Sequence, residues 1–413
     1  MHLIAPFAGL RPAPGRAAEL LAPPYDVMDT DEARALVAGR PWSFLHLSRP
    51  EVDLPPGLDP YDPACYAHAA ATLGRMVSAG LLVRDRQPCY FVYRLTRGRQ
   101  VQTGLVLAAS LPAYRAGRIR RHEVTLAAKE DDRVRLIEAL NAQTGPAFLI
   151  HRRDPMIDGT LAAVSRGVPD IDTQTADGVR HTLWVVADQP DIDRLTAGFD
   201  AQERLYIADG HHRTAAAERI GAARAAVNPH HTGAESYNRF LAVSFPGDEL
   251  QVLAVNRLVR DLNRLDAEAF LAQVAERFTV VGSPVPVAPA QPGEFGLYLD
   301  GAWSRLTLHA GRIPRHDPVA RLDVRLLQDQ LLTPILGLGD PRHDPRIDFV
   351  GGIRGLDGLV QPVDSGAMRL AFSLYPTPLS DLLAVADLGE TMPPKCTWFE
   401  TKLADGMVSL ILD

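Results

Sequence analysis

Apolar residues recur at helical spacing in some stretches of this chain and alternate with polar ones in others. Residues 62–79 are alanine-rich, with apolar positions three and four apart, and predict a helix; a shorter one is expected over 31–38. Residues 90–95 and 101–110 alternate like the arms of a hairpin. A polar segment, 122–133, leads into a helix over 133–141, and 148–150, 182–186 and 239–245 read as buried strands. Before the last of these, 205–220 runs as strand, polar turn and alanine-rich helix. Residues 1–60 are proline-rich, with turn and strand expected at 23–26 and 41–47. The texture changes after Pro246: an amphipathic helix over 266–277, a proline-bearing connection over 283–293, strands at 296–300 and 305–308, and a helix over 323–336. The last seventy residues read as strands alternating with glycine turns. The pattern predicts an α/β to α+β fold in two regions, 1–245 and 246–413.

The turn between residues 205 and 217 concentrates the most chemistry. Asp209, Gly210, His211, His212 and Arg213 fall where a strand gives way to a helix. A helix start offers unpaired N–H groups and the positive end of the dipole, which suits an anion. Glycine lets the backbone approach a ligand closely, and arginine grips phosphate oxygens with a two-pronged fork. A phosphate-binding elbow is the sharper reading. The plainer one is a helix capped by Asp209 with solvated histidines nearby.

Composition narrows the setting. Apolar content of 46% and charged content of 23% are ordinary for a globular protein, and the 413 residues suggest more than one core. The formal charge of −7 argues against a broad nucleic-acid footprint. Cys65, Cys89 and Cys396 form no C-x-x-C pair or disulfide framework, which fits a reducing cytoplasm. Neither a signal peptide nor a long apolar span is read, so no membrane association is expected. Among 43 basic residues only Lys129, Lys395 and Lys402 are lysines, and they fall in two polar segments. A lysine is a compact charge whose pKa can move, a property arginine does not copy.

Other constellations are weaker. His122 beside Glu123 suits a general base or a metal ligand, whereas Asp131 and Asp132 read as the acidic first turn of a helix. His230-His231 with His211-His212 match no zinc spacing. The glycines of 351–355 suggest a tight turn more than a phosphate cradle, His46 a satisfied core histidine, and Trp398 and Phe399 packing residues.

Taken together, the segments resemble a bacterial and archaeal family catalogued as domain of unknown function 1015. The family's A-P-P-Y-D-V matches 22–27, S-F-L-H matches 43–46, and H-E-x-T…K-E-D-D-R matches 122–133. N-A-x-T-G-P matches 141–146, A-D-G-H-H-R matches 208–213, and the tail M-P-P-K-S-T-W-F-E-P-K matches 392–402. This chain departs from the tail in having Cys396 for serine and Thr401 for proline. The D-G-H-H-R turn is similar to the phosphate-holding signature of the ParB and sulfiredoxin superfamily, one branch of which comprises free-serine kinases. That resemblance implies nucleotide binding.

The expected function is a nucleotide-dependent phosphotransferase, using ATP or ADP with Mg²⁺, on a small hydroxyl metabolite such as serine or phosphoserine. Gly210, His211, His212 and Arg213, with Asp209, are the expected phosphate binders. Glu123 is the expected base or Mg²⁺ ligand, with His122 beside it, and Lys129 or Lys395 the cation on the transferring group. The rivals are a ParB-type nucleotide-gated switch and a phosphate-ester hydrolase.

Overall fold

The computed structural model describes residues 2–412. It is a mixed α/β structure with several sheets and 13 α-helices among the described residues. The chain divides into two compact units, one made of 1–121, 125–250 and 401–413, the other of 122–124 and 251–400.

A nine-stranded sheet organises the first unit. Its order is Ile119–Arg120, Leu205–Asp209, Ala147–His151, Arg239–Pro246, Gln100–Ser110, Tyr90–Arg97, Arg180–Val186 and Ile171–Gln174, with Ile4–Ala5 also on Gln100–Ser110. The expected hairpin is there, with Arg97 opposite Gln100. Leu205–Asp209 runs parallel to Ile119–Arg120, and Ala147–His151 parallel to Arg239–Pro246. Leu105, Leu107, Leu149, Leu205, Ile207 and Phe240 belong to the core beneath this sheet. A second core gathers around helix Pro63–Ser78, which starts where Asp62 Oδ1 accepts from Ala64 N at 2.8 Å and buries Tyr66, Ala69, Leu73 and Met76 on one face.

Residues 401–413 lie with the first unit although the sequence pattern groups them with the C-terminal region. Strand Ser409–Ile411 is held between Gly9–Pro12 and Ala142–Gln143, and a strand that short carries no sign of its partners. The second unit is built on a six-stranded antiparallel sheet, Phe278–Ser283, Ala302–Leu308, Glu294–Leu299, Leu370–Leu374, Val255–Val259 and Ile347–Gly351.

Four expectations are corrected. Residues expected as strand at 41–47 include the start of helix Leu45–Ser48. The helix expected from residue 133 begins earlier, as Ala127–Leu140, so Glu130 rather than Asp131 or Asp132 is the acid of its first turn. The helix expected over 323–336 is regular only over Asp323–Leu327 and widens to a π-helical turn over Gln328–Leu332. The tail also holds helices Asp357–Asp364 and Leu379–Asp387, not strands and turns alone. Gly358 and Pro362 disfavour a helix, but packing of Leu356, Leu359, Val360 and Val363 in one core cluster overrides that propensity.

Candidate functional site

The elbow is strand Leu205–Asp209, then Gly210, then helix His211–Val227. The strand's pairing with Ala147–His151 shifts register between Ile207 and Asp209, a bulge just before the turn, and Asp209 still pairs with Phe148. Gly210, not Asp209, is the N-cap; its φ is +91° and no side chain caps the helix. Asp209 instead ends the strand and accepts from Gly210 N at 2.6 Å through Oδ1. A Cβ at Gly210 would stand 3.0 Å from Ala147 Cα and 3.1 Å from Arg213 Nε. Gly210→Ala therefore meets both a left-handed backbone and a crowded stem. An unfolding free energy lower by about 1–3 kcal/mol is the expected outcome in denaturant titration.

Arg213 is fixed from several sides, with its side chain 12% exposed. Nη1 donates to Pro146 O at 2.5 Å, and Nη2 lies 3.4 Å from Asp209 Oδ1 and 3.8 Å from Asp26 Oδ2. A Cβ at Gly145 would come within 3.2 Å of the arginine's Cδ, so the Thr-Gly-Pro backbone passes close beneath the stem. Lys402 Nζ meets Asp209 Oδ2 at 2.5 Å. Burial alone would raise the Asp209 pKa, but the charges of Lys402 and Arg213 outweigh it and hold the carboxyl far below the usual range. Both Asp209 oxygens are thus committed within the protein. His211 is buried, and His212 Nε2 accepts from Leu126 N at 3.0 Å, which puts the proton of a neutral His212 on Nδ1. Leu126 is the N-cap of helix Ala127–Leu140, so this bond ties the K-E-D-D-R helix to the elbow.

A cavity of about 30 Å³ opens beside Arg213, lined among others by Tyr25, Ser48, Arg133, Thr144 and Asp405. Its walls come from the A-P-P-Y-D-V, S-F-L-H-adjacent, K-E-D-D-R, N-A-x-T-G-P and D-G-H-H-R segments. The Arg133 guanidinium lies 4.2 Å over the Tyr25 ring and its Nε donates to Asp132 at 2.8 Å, while Asp132 accepts from Tyr66 Oη at 2.9 Å. Asp405 is buried and accepts from Tyr25 N at 3.2 Å. Burial pushes its pKa up to about 7 against the opposing pull of a Ser48 hydrogen bond and of Arg213.

Of the remaining expected residues, Lys129 falls in the first unit and His122, Glu123 and Lys395 in the second. His122 and Glu123 belong to the second unit, where His122 O accepts from Met392 N at 2.7 Å. Glu123 is half-buried there, near enough to Cys396 for its charge to act on the thiol. Burial, against the pull of Arg257 and with the help of Glu123, pushes that thiol's pKa up to about 12, which favours the protonated thiol. Lys395 is exposed, with a left-handed φ of +55°, and its carbonyl accepts from Arg257 Nη2 at 3.1 Å. Lys129 is exposed in the first turn of its helix. Thr401, where the family has proline, donates its N–H to Gln102 Oε1 at 3.2 Å, a bond proline would lack. Of the weaker constellations, His231 bonds to Tyr237 Oη at 3.0 Å, and His46 Nδ1 pairs with Asp53 at 2.8 Å. Gly351 packs on the Trp398 ring, leaving no room for a Cβ.

Asp26, Arg133, Lys402 and Asp405 were not among the expected site residues. Scarcity of lysine marks Lys402, and the matched segments contain Asp26 and Arg133. Asp405 lies outside every matched segment, and nothing local marks it.

These features define a mixed α/β protein whose first unit carries a strand–glycine–helix elbow beside a cation-rich recess. The chain belongs to the family described as Protein of unknown function (DUF1015), whose model matches residues 4–325. No curated protein matches it. Among solved structures, it is similar to a free serine kinase variant in complex with AMP, with 13% identity over 71% of this chain and 87% of that one and a TM-score of 0.36. SbnI with a C-terminal truncation, from Staphylococcus aureus, has 10% identity over 74% and 87% and a TM-score of 0.40. A conserved hypothetical protein from Pyrococcus furiosus has 13% identity over 71% and 90% and a TM-score of 0.33. Among the described residues no helix is long and apolar enough to cross a membrane, and Cys65, Cys89 and Cys396 are free thiols.

Proposed function

We propose that this protein is a nucleotide-dependent phosphotransferase of ParB/sulfiredoxin type, moving a phosphoryl group between ATP or ADP and a small hydroxyl metabolite, with serine or phosphoserine the first candidates. The carrying observation is the helix start after Gly210, which has no side-chain cap and has the Arg213 guanidinium pinned beside it. In this reading Gly210, His211, His212 and Arg213 hold the phosphates. Asp209, locked by Lys402, holds Arg213 in place rather than touching the nucleotide. The acceptor hydroxyl oxygen bonds to the terminal phosphorus, the bond to the bridging oxygen breaks, and the hydroxyl proton goes to Glu123. Lys129 or Lys395 neutralises charge on the transferring group. Mg²⁺, arriving with the nucleotide, would neutralise phosphate charge. The alternative role for Glu123, in place of the base, is as a ligand to that ion. The work takes place in the cytoplasm, on a small molecule rather than a nucleic acid.

Arg213→Ala tests the reading. Loss of a charge-assisted contact of about 1.5–3 kcal/mol predicts nucleotide affinity about 10- to 100-fold weaker by calorimetry. Unchanged affinity in a folded variant would sink the phosphate assignment. Nucleotide binding by wild type without transfer to any hydroxyl acceptor would favour the gated switch. Release of phosphate from phosphoserine without nucleotide would favour the hydrolase.

A further inference from the structure

The recess beside Arg213 has a charge balance of its own. Arg133 is matched by Asp132; Arg213 and Lys402 are matched by Asp209 and Asp26. Three cations face three anions, and Asp405 is left over. An ionised Asp405 would add an unmatched negative charge in a buried place, and its raised pKa is the physical answer: near neutrality much of it is the acid, able to donate a hydrogen bond. The Arg133 and Arg213 side chains are 13% and 12% exposed, so both guanidiniums are largely stripped of water where they line the cavity. With Asp405 as the acid the ionised groups balance, and the two guanidiniums on the cavity wall disfavour a cation and offer forked N–H donors instead. The recess is lined by Thr144 and Gln143 as well as by the two guanidiniums, whose planar forks match the two oxygens of a carboxylate.

We propose that this recess is a carboxylate subsite, in which Arg133 and Arg213 receive the carboxylate of a small amino or hydroxy acid and Thr144 and Asp405 complete its hydrogen bonds. The acid would be the phosphoryl acceptor, an assignment that rests on the phosphotransferase reading; the subsite itself does not.

The test is calorimetry on the full chain with L-serine, D-glycerate, acetate, inorganic phosphate and serinol, which keeps the serine skeleton but lacks the carboxylate. Serine or glycerate should bind and serinol should not. If the acid form of Asp405 is the binding form, carboxylate affinity falls about tenfold between about pH 6 and about pH 8, as the group ionises. The groups that face it are Arg213, Arg133, Asp26, Tyr25 and the Ser48 hydroxyl; burial keeps Tyr25 a neutral phenol throughout that window. Asp405→Asn should bind with no such pH dependence, and Arg133→Gln should bind at least about tenfold more weakly. Equal binding of serinol, binding of phosphate in place of carboxylates, a flat wild-type pH profile, or undiminished binding by Arg133→Gln would each overturn the subsite. Should Arg133→Gln fail to fold, the wild-type pH series and Asp405→Asn decide alone. ATP and ADP titrations on the same samples separate the two ideas. Nucleotide binding without carboxylate binding overturns only the subsite; carboxylate binding without nucleotide binding overturns only the phosphotransferase.

Discussion

Glu123→Gln is expected to lower phosphoryl exchange between nucleotide and serine by about 10²–10⁴-fold, the usual cost of removing a general base. Glutamine keeps the shape and one acceptor of glutamate but cannot take the hydroxyl proton. The backbone at this point is set by the neighbouring carbonyl, which accepts from Met392 N at 2.7 Å, and the substitution leaves that bond alone. The melting curve should therefore move little while turnover collapses. Exchange at the wild-type rate would remove Glu123 from the chemistry, whether as base or as magnesium ligand.

Lys402→Met is expected to destabilise the first unit by about 2–4 kcal/mol near neutral pH. The ammonium meets Asp209 at 2.5 Å with the two side chains 19% and 26% exposed, so its removal leaves a largely desolvated carboxylate whose Oδ2 has lost its cation, with Gly210 N and the longer contact to Arg213 remaining on Oδ1. The pH dependence has a definite sign. The folded-state pKa of Asp209 is depressed, so the pair's contribution is complete above the unfolded value of about 3.9 and is lost as pH falls through the folded value. The gap between wild type and Lys402→Met should be widest above about pH 5 and narrow in acid. Hydrogen exchange at Leu205–Asp209 would locate the loss, and equal protection in both proteins would mean the pair contributes nothing. Asp209→Asn combined with Lys402→Met should cost less than the sum of the two, because each single change strands the other partner.

The elements legible in the sequence were those whose signal is local. Apolar spacing and alanine content announce the helix over 62–79, the hairpin at 90–110 alternates cleanly, and the 205–220 strand, glycine and alanine-rich helix can be read in order. What stayed hidden depends on partners far along the chain. Gly358 and Pro362 read as a turn until Leu359 is seen buried against its sheet. Asp209 looks like a helix cap until Lys402, 193 residues away, is found on its other oxygen. Asp405 is an unremarkable acid in sequence, and only burial beside Tyr25 and Arg213 sets it apart.

The return of residues 401–413 to the first unit has a consequence for how the protein is made. Translation delivers the whole second unit before Lys402 and strand Ser409–Ile411 exist. Until then Asp209 has no ammonium, and strands Gly9–Pro12 and Ala142–Gln143 lack the neighbour that joins them. A chain halted anywhere from residue 250 to 400 would carry every residue of the elbow yet hold it in an unfinished body. Nonsense variants in that range should behave as clients of chaperones and proteases rather than as partly functional proteins, and the elbow would mature only after the second unit has left the ribosome.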